Sequence, residues 1–286
     1  MKQRIITGLI GGSLVILLLF LRDTVVFNCI IALITLVSVY EILVATHYVK
    51  NRVLIGCGLL FAAVVPFFQL TGFMPVGLTI CCAFILATLC VLLHGHLTIE
   101  LKEVSFVFMM SLLIPFSMST MLYLNVASVY FPQRYDQIDG LFFVLLAFGG
   151  AWMGDIGAYF IGSFFGKHKL APVISPKKTV EGAIGGVLTT VVFFTALGLV
   201  WEFAVLRQDG GVQWVWLVIS AVACSIVGMI GDLAFSCIKR ACYIKDYGHI
   251  IPGHGGMLDR FDSVILVSPF LFLLVQYIPF IVRTAV

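Results

Sequence analysis

Charge is what this sequence has least of: Asp, Glu, Lys and Arg make up 11% of its 286 residues, against roughly a quarter in a soluble globular domain. With 61% hydrophobic residues and a mean hydropathy of +1.13, the scarcity excludes a soluble globule and requires membrane-spanning segments. No stretch rich in Pro, Ser or charge divides the chain, so its length is counted in spans rather than in soluble domains. No basic patch with interleaved aromatics is present, which excludes nucleic acid as a partner. The 25 phenylalanines are scattered through apolar runs, as lipid-facing or bundle-packing bulk. The eight cysteines, Cys29, Cys57, Cys81, Cys82, Cys90, Cys224, Cys237 and Cys242, form no CxxC pair and no Cys/His set at zinc spacing. They read as small hydrophobes, without disulfide or zinc. Gly166-Lys167 lacks the upstream glycine and the following Ser or Thr of a P-loop.

What is there is a series of apolar runs. Met1-Lys2-Gln3-Arg4 followed by Ile5 to Leu21 has the basic start and apolar core of a signal peptide, but no small-x-small cleavage site follows, so it is expected to be a retained first span. Further runs of roughly the length that crosses the hydrocarbon lie at about 25–46, 53–70, 75–93, 104–124, 140–164, 180–201, 214–235 and 263–282. The expected fold is therefore an all-α polytopic bundle of about nine transmembrane helices. Alternate loops divide the cations unevenly. Lys2, Arg4, Lys50, Arg52, Lys102, Lys167, Lys169, Lys177, Lys178, Lys239, Arg240, Lys245 and Arg260 fall on one side, and only Arg22, Arg134, Arg207 and Arg283 on the other. That bias puts the N-terminus and the first set in the cytoplasm.

One stretch concentrates the polarity. Between Gly231 and Ser263 stand Lys239, Arg240, Lys245 and Arg260, with Asp232, Asp246, Asp259 and Asp262, and also His249 and His254. Carboxylates suit a hard divalent cation, which takes oxygen ligands and is usually held by one or two acids plus substrate phosphates. The cations suit the phosphates themselves. Between them, Pro252-Gly253-His254-Gly255-Gly256 supplies a turn whose bare backbone can approach an anion. A basic loop that merely anchors topology would account for the cations, but not for four acids and a glycine-rich turn beside them. On the helix ending near 241, Asp232, Ser236, Lys239 and Arg240 are spaced to share a face. Asp259 and Asp262 project together at the start of the last helix, near its positive dipole end.

Two other segments carry polarity into the membrane region. Asp155 sits among Gly149, Gly150, Gly154 and Gly157, and should face a wet cavity or a partner cation. In the loop after it, Ser175-Pro176 marks a turn, Thr179 is a helix N-cap, and Lys177, Lys178 and Glu181 surround a helix N-terminus that attracts anions. Gly182 and Gly186 have the spacing of a helix-packing device. Glu41 is an acid within the second span, read here as snorkelling to the interface. His94 and His96 read as solvated loop residues.

Ser236-x-x-Lys239-Arg240, Lys245-Asp246 and Pro252-x-His254-Gly255-Gly256-x-x-Asp259-Arg260-x-Asp262 together resemble the signature of the phosphatidate cytidylyltransferases, or CDP-diacylglycerol synthases. The segments Ser175–Gly182 and Asp155-x-Gly157-Ala158-Tyr159 resemble that family's other marked stretches, so the resemblance covers about 149–263. It implies transfer of CMP from CTP to phosphatidic acid, with release of pyrophosphate and a requirement for Mg2+. It also implies an inner-membrane enzyme with its active site in the cytoplasm, and homodimerisation. Carried onto this chain, it implies Asp232 and Asp259 as metal ligands, with Asp246 and Asp262 as supporting or alternative ones. Lys239, Arg240, Arg260 and His254 join these as catalytic residues. Lys177, Lys178, Lys245, Ser236, Asp155, Glu181, Gly255 and Gly256 would bind substrate. Residues 1–124 would be scaffold, and 125–286, with cytoplasmic loops 165–179 and 236–262, the catalytic region.

Two rivals remain at this level. The same cytidylyl transfer could act on a different lipid phosphate. A transporter with a cytoplasmic anion site would also carry an intramembrane acid and broken, glycine-rich helices, but it should show internal repeats, and the two halves show none.

Overall fold

The computed structural model describes residue 13 and residues 17–71, 73–251 and 255–283. Seven helices of 20 to 28 residues among them are long and apolar enough to cross a membrane, since a 30 Å hydrocarbon layer takes about 20 residues. The chain is thus an all-α polytopic membrane protein. The expected first span, 5–21, lies almost wholly outside the described residues.

The principal elements are α1 (Val25–Ala45), α2 (Arg52–Val64), α3 (Leu78–His94), α4 (Leu101–Asn125), α5 (Asp139–Phe165), β1 (Lys169–Ala171), β2 (Ser175–Thr179), α6 (Val180–Val200), β3 (Gly210–Val212), α7 (Trp214–Ala241), α8 (Leu258–Tyr277) and β4 (Ile281–Arg283). α8 corrects the expected ninth span at both ends. It begins with charged Asp259, Arg260 and Asp262 and stops at Tyr277, because Pro279 cannot donate to a further turn and disfavours helix at the residue before it. The β-branched Ile281 and Val282 instead pair antiparallel with Val212 and Gly211. The segment 165–179, expected as a loop turning at Ser175-Pro176, is a β-hairpin: the turn lies at 172–174, and Ser175–Thr179 is its second strand. Pro176 is tolerated because a two-stranded ribbon leaves an edge free.

The chain forms two compact units, one comprising Met1–Leu122 and Ile238–Phe261, the other Tyr123–Cys237 and Asp262–Val286. In the first, α1 buries Phe27, Ile31, Thr35, Ser38, Val39 and Ile42 at helical spacing. Phe61 stacks on Phe84, with ring centroids 4.3 Å apart. Two polar side chains within it are matched: Asn28 donates to Pro66 O and Gln69 Oε1, and Asn51 caps α2 by accepting from Val53 N and Leu54 N.

In the second unit α5 and α6 approach along glycines. A Cβ at Gly186 would stand 2.7 Å from Gly154 O, and one at Gly157 would stand 2.8 Å from Gly185 O. The packing device expected at Gly182 and Gly186 is therefore real. The start of α5 is closed by a polar knot. Asp139, fully buried, accepts from Trp201 Nε1 at 3.1 Å, Asp136 N at 2.8 Å and Arg283 at 2.8 Å. Tyr135 beside it donates to Ile278 O, and burial pushes its phenol up to about 12.

Candidate active site

In the first unit the site is built where α7 ends and α8 begins. Lys239 and Arg240 occupy the last turn of α7, where the helix dipole favours cations. Lys239 is buried and its Nζ lies 2.7 Å from Asp259 Oδ1. It also stands over the Tyr247 ring, 5.3 Å from the centroid, close enough for a cation–π attraction. Asp259 Oδ2 accepts from Tyr247 N at 2.9 Å and from Gly256 N at 3.1 Å. One carboxylate thus clasps the end of α7, the middle of the connecting turn and its last glycine.

The turn itself needs its glycines. Gly255 has φ +87° and exchanges a bridge with Ile251, a conformation that costs an L side chain free energy. A Cβ there would also come 3.3 Å from Asp259 Oδ2 and 3.7 Å from Asp246 Oδ1, so two carboxylates approach the same bare backbone. Beneath the turn lies Glu41 of α1. It is buried, and accepts from Met257 N at 3.0 Å and Leu258 N at 2.8 Å. The expectation that Glu41 snorkels to the interface is overturned: its carboxylate caps the first turn of α8.

In the second unit, Lys178 of β2 forms an ion pair with Asp232 of α7, and Ser236 Oγ donates to Asp232 Oδ1 at 3.3 Å. Successive strand residues face opposite ways, so Lys177 is exposed while Lys178 turns inward. Thr179 caps α6 by accepting from Gly182 N at 3.1 Å, as its position predicts. Asp155 Oδ2 accepts from Ser263 Oγ at 2.9 Å, and buried Asp262 accepts from Ser263 N. Glu181 is turned toward its own hairpin: it meets His168 Nδ1 at 2.6 Å and accepts from Lys167 N at 3.0 Å.

Of the residues expected from sequence, Lys239, Asp259, Asp246, Gly255 and Gly256 come together in one unit. Lys178, Asp232 and Ser236 meet in the other, as do Asp155 and the residue beside Asp262. Lys177, Arg240, Lys245 and Arg260 are exposed, and His254 lies outside the described residues. Sequence reasoning missed Glu41 as a partner of this turn; its one signal was an acid in an otherwise apolar span. Among the described residues no three His, Cys, Asp or Glu side chains form a metal cage. The donors are hard carboxylate oxygens beside lysines, the set that suits a divalent ion shared with phosphate oxygens.

Comparison with known proteins fits this chemistry. The chain is 34% identical over 282 residues to the phosphatidate cytidylyltransferase of Bacillus subtilis (strain 168), covering 96% of this chain and 97% of that protein. Enzymes of the same name match over 162 residues, 56% of this chain and 59% of each, at 42% identity in Staphylococcus haemolyticus (strain JCSC1435) and 40% in Staphylococcus saprophyticus (strain ATCC 15305). Since the model of the cytidylyltransferase family also matches residues 2–278, nearly end to end and through both carboxylate–lysine pairs, the chain belongs to that family of nucleotidyl-transferring enzymes.

Proposed function

We propose that this enzyme is a phosphatidate cytidylyltransferase, acting at the cytoplasmic face of the inner membrane. A phosphate oxygen of phosphatidic acid attacks the α-phosphorus of CTP. The new P–O bond gives CDP-diacylglycerol, and the α–β bond breaks to release pyrophosphate. A phosphate monoester has its second pKa near 6, so the attacking oxygen is already ionised at neutral pH and needs no general base. What opposes the reaction is repulsion between two anions, and catalysis is mainly positioning and charge neutralisation.

The observation that carries this reading is the Asp259 clasp, which fixes a buried lysine against a glycine-rich turn. Lys239 and Lys178, each oriented by a carboxylate, are assigned to the phosphates. Exposed Lys177, Arg240, Lys245 and Arg260 gather the incoming anions, and Ser236, Asp155, Glu181, Gly255 and Gly256 shape the surroundings. Asp232 and Asp259 are assigned to Mg2+, with Asp246 and Asp262 in support. When bound, that ion supplies neutralisation of charge developing on the leaving phosphate oxygens. The bias of Lys and Arg to one set of loops supports a cytoplasmic site. Homodimer assembly belongs to the same reading.

The test is direct. Purified protein in lipid micelles receives CTP labelled in the α-phosphate, Mg2+ and phosphatidic acid, and the lipid phase is analysed for CDP-diacylglycerol. Label should enter the lipid only with phosphatidic acid present, with one pyrophosphate released per transfer. Equal labelling of an unrelated lipid phosphate, or none with any acceptor, would overturn the assignment.

A further inference from the structure

Glu41 stands in α1, in the half of the chain expected to be only scaffold. A carboxylate in that setting is expensive unless its oxygens are matched. Here each oxygen takes one main-chain N–H of the segment entering α8, from residues 216 and 217 positions along the chain. Two glycines make room for it: a Cβ at Gly248 would lie 2.2 Å from Oε1, and one at Gly256 would lie 2.5 Å from Oε2. The turn is therefore wrapped round this carboxylate at both ends, and the next residue after its anchor is Asp259.

We propose that Glu41 is a positioning residue for the signature turn: by holding Met257 N and Leu258 N it sets the backbone from which Asp259 reaches Lys239, Tyr247 and Gly256. The same contact has a consequence for substrate. The N–H group entering α8 and the first within it are already committed to an internal anion, which leaves this helix N-terminus less to offer a phosphate and puts more of that task on side-chain cations. The inference rests on the proposed cytidylyl transfer for its kinetic arm only.

The experiment compares the parent with Glu41→Gln, Gly256→Ala and the double variant Glu41→Ala/Gly256→Ala, in the full chain. Two quantities are read: kcat and KM on the folded fraction, and hydrogen exchange of the turn amides. Glu41→Gln should lower kcat at least tenfold, leave KM for phosphatidic acid within about twofold, and speed exchange at Met257 and Leu258 and also at Tyr247 and Gly256, which bond to Asp259. Removing the Glu41 side chain opens the space that a methyl group at position 256 needs, so the double variant should be no worse than Gly256→Ala alone. If Glu41→Gln folds and keeps kcat within twofold, or if exchange rises at 257 and 258 but not at 247 and 256, Glu41 is a helix cap and no more, and the proposal fails. Should Glu41→Gln not fold, Gly248→Ala, at a residue with no part in the proposed chemistry, displaces the same carboxylate from the other side and decides by the same criteria. A parent without cytidylyl transfer would refute the functional reading alone, while the exchange data would still judge the positioning.

Discussion

Replacing Asp259 by Asn preserves shape and removes one acceptor at the point where three donors converge. In the parent, Lys239 Nζ meets Oδ1 at 2.7 Å, while Tyr247 N and Gly256 N meet Oδ2 at 2.9 and 3.1 Å. The pair is enclosed, with side-chain exposures of 10% for Lys239 and 4% for Asp259. An Asn side chain has one carbonyl oxygen, so its amide must face either the ammonium or the two main-chain N–H groups. Either way donor confronts donor. Removing one partner of a buried pair costs about 3–5 kcal/mol. The Tyr247 ring under Lys239 offsets about 0.5–2 kcal/mol of it, which leaves about 3 kcal/mol.

The double variant Lys239→Met/Asp259→Asn should then be more stable than Asp259→Asn alone. With both charges gone, the Asn oxygen accepts from Tyr247 N and Gly256 N, and its amide no longer meets a cation. Recovery of about 2 kcal/mol is expected, and the coupling, which adds the loss in Lys239→Met alone, is larger still and well above the scatter of about 0.5 kcal/mol for independent sites. Denaturant unfolding of all four proteins in detergent measures the cycle. Turnover should fall about 100- to 1000-fold in each variant, so stability recovers where activity does not. A coupling below about 0.5 kcal/mol would refute the clasp and the site geometry built on it.

Two further outcomes follow from the geometry. Lys178→Met should reduce turnover far more than Lys177→Met, because Lys178 is oriented by Asp232 while Lys177 points the other way into solvent; steady-state assays at low and high salt should show only the Lys177 effect fading as salt rises. Arg283→Ala should strip fully buried Asp139 of its cation and destabilise the protein by about 3–5 kcal/mol; kcat per folded molecule should stay unchanged, which thermal unfolding alongside turnover would check.

The parts of this protein legible in its sequence are those set by local chemistry. Apolar runs gave the spans, Thr179 its cap and Gly182 and Gly186 a close helix contact, because each depends on residues within a few turns. The resemblance likewise grouped Lys239, Asp259 and the glycines, which the fold places side by side. The hairpin was illegible because Ser-Pro is a strong turn signal, whereas Ser175–Thr179 is extended only through pairing with Lys169–Ala171. The end of α8 was misjudged for a similar reason: Ile281 and Val282 are as apolar as any span, and only the distant strand Gly210–Val212 makes them a β edge.

Glu41 is the sharpest case. Its burial cost is visible in the sequence as an acid in an apolar run, and that cost demands a partner. Near the end of a span the headgroup region was the expectation. The partner is instead a pair of backbone N–H groups, which every non-proline residue carries and which no residue pattern can therefore reveal. Gly248 and Gly256 leave the room it needs. In sequence Gly256 reads as freedom for the backbone to approach an external anion, but in the fold both glycines approach the chain's own carboxylate. A glycine-rich turn thus records that something negative comes close, and the fold decides whether that is substrate or self. Here the N–H groups of Met257 and Leu258 serve Glu41, and those of Tyr247 and Gly256 serve Asp259; in the proposed reaction the phosphates fall to the lysines and arginines.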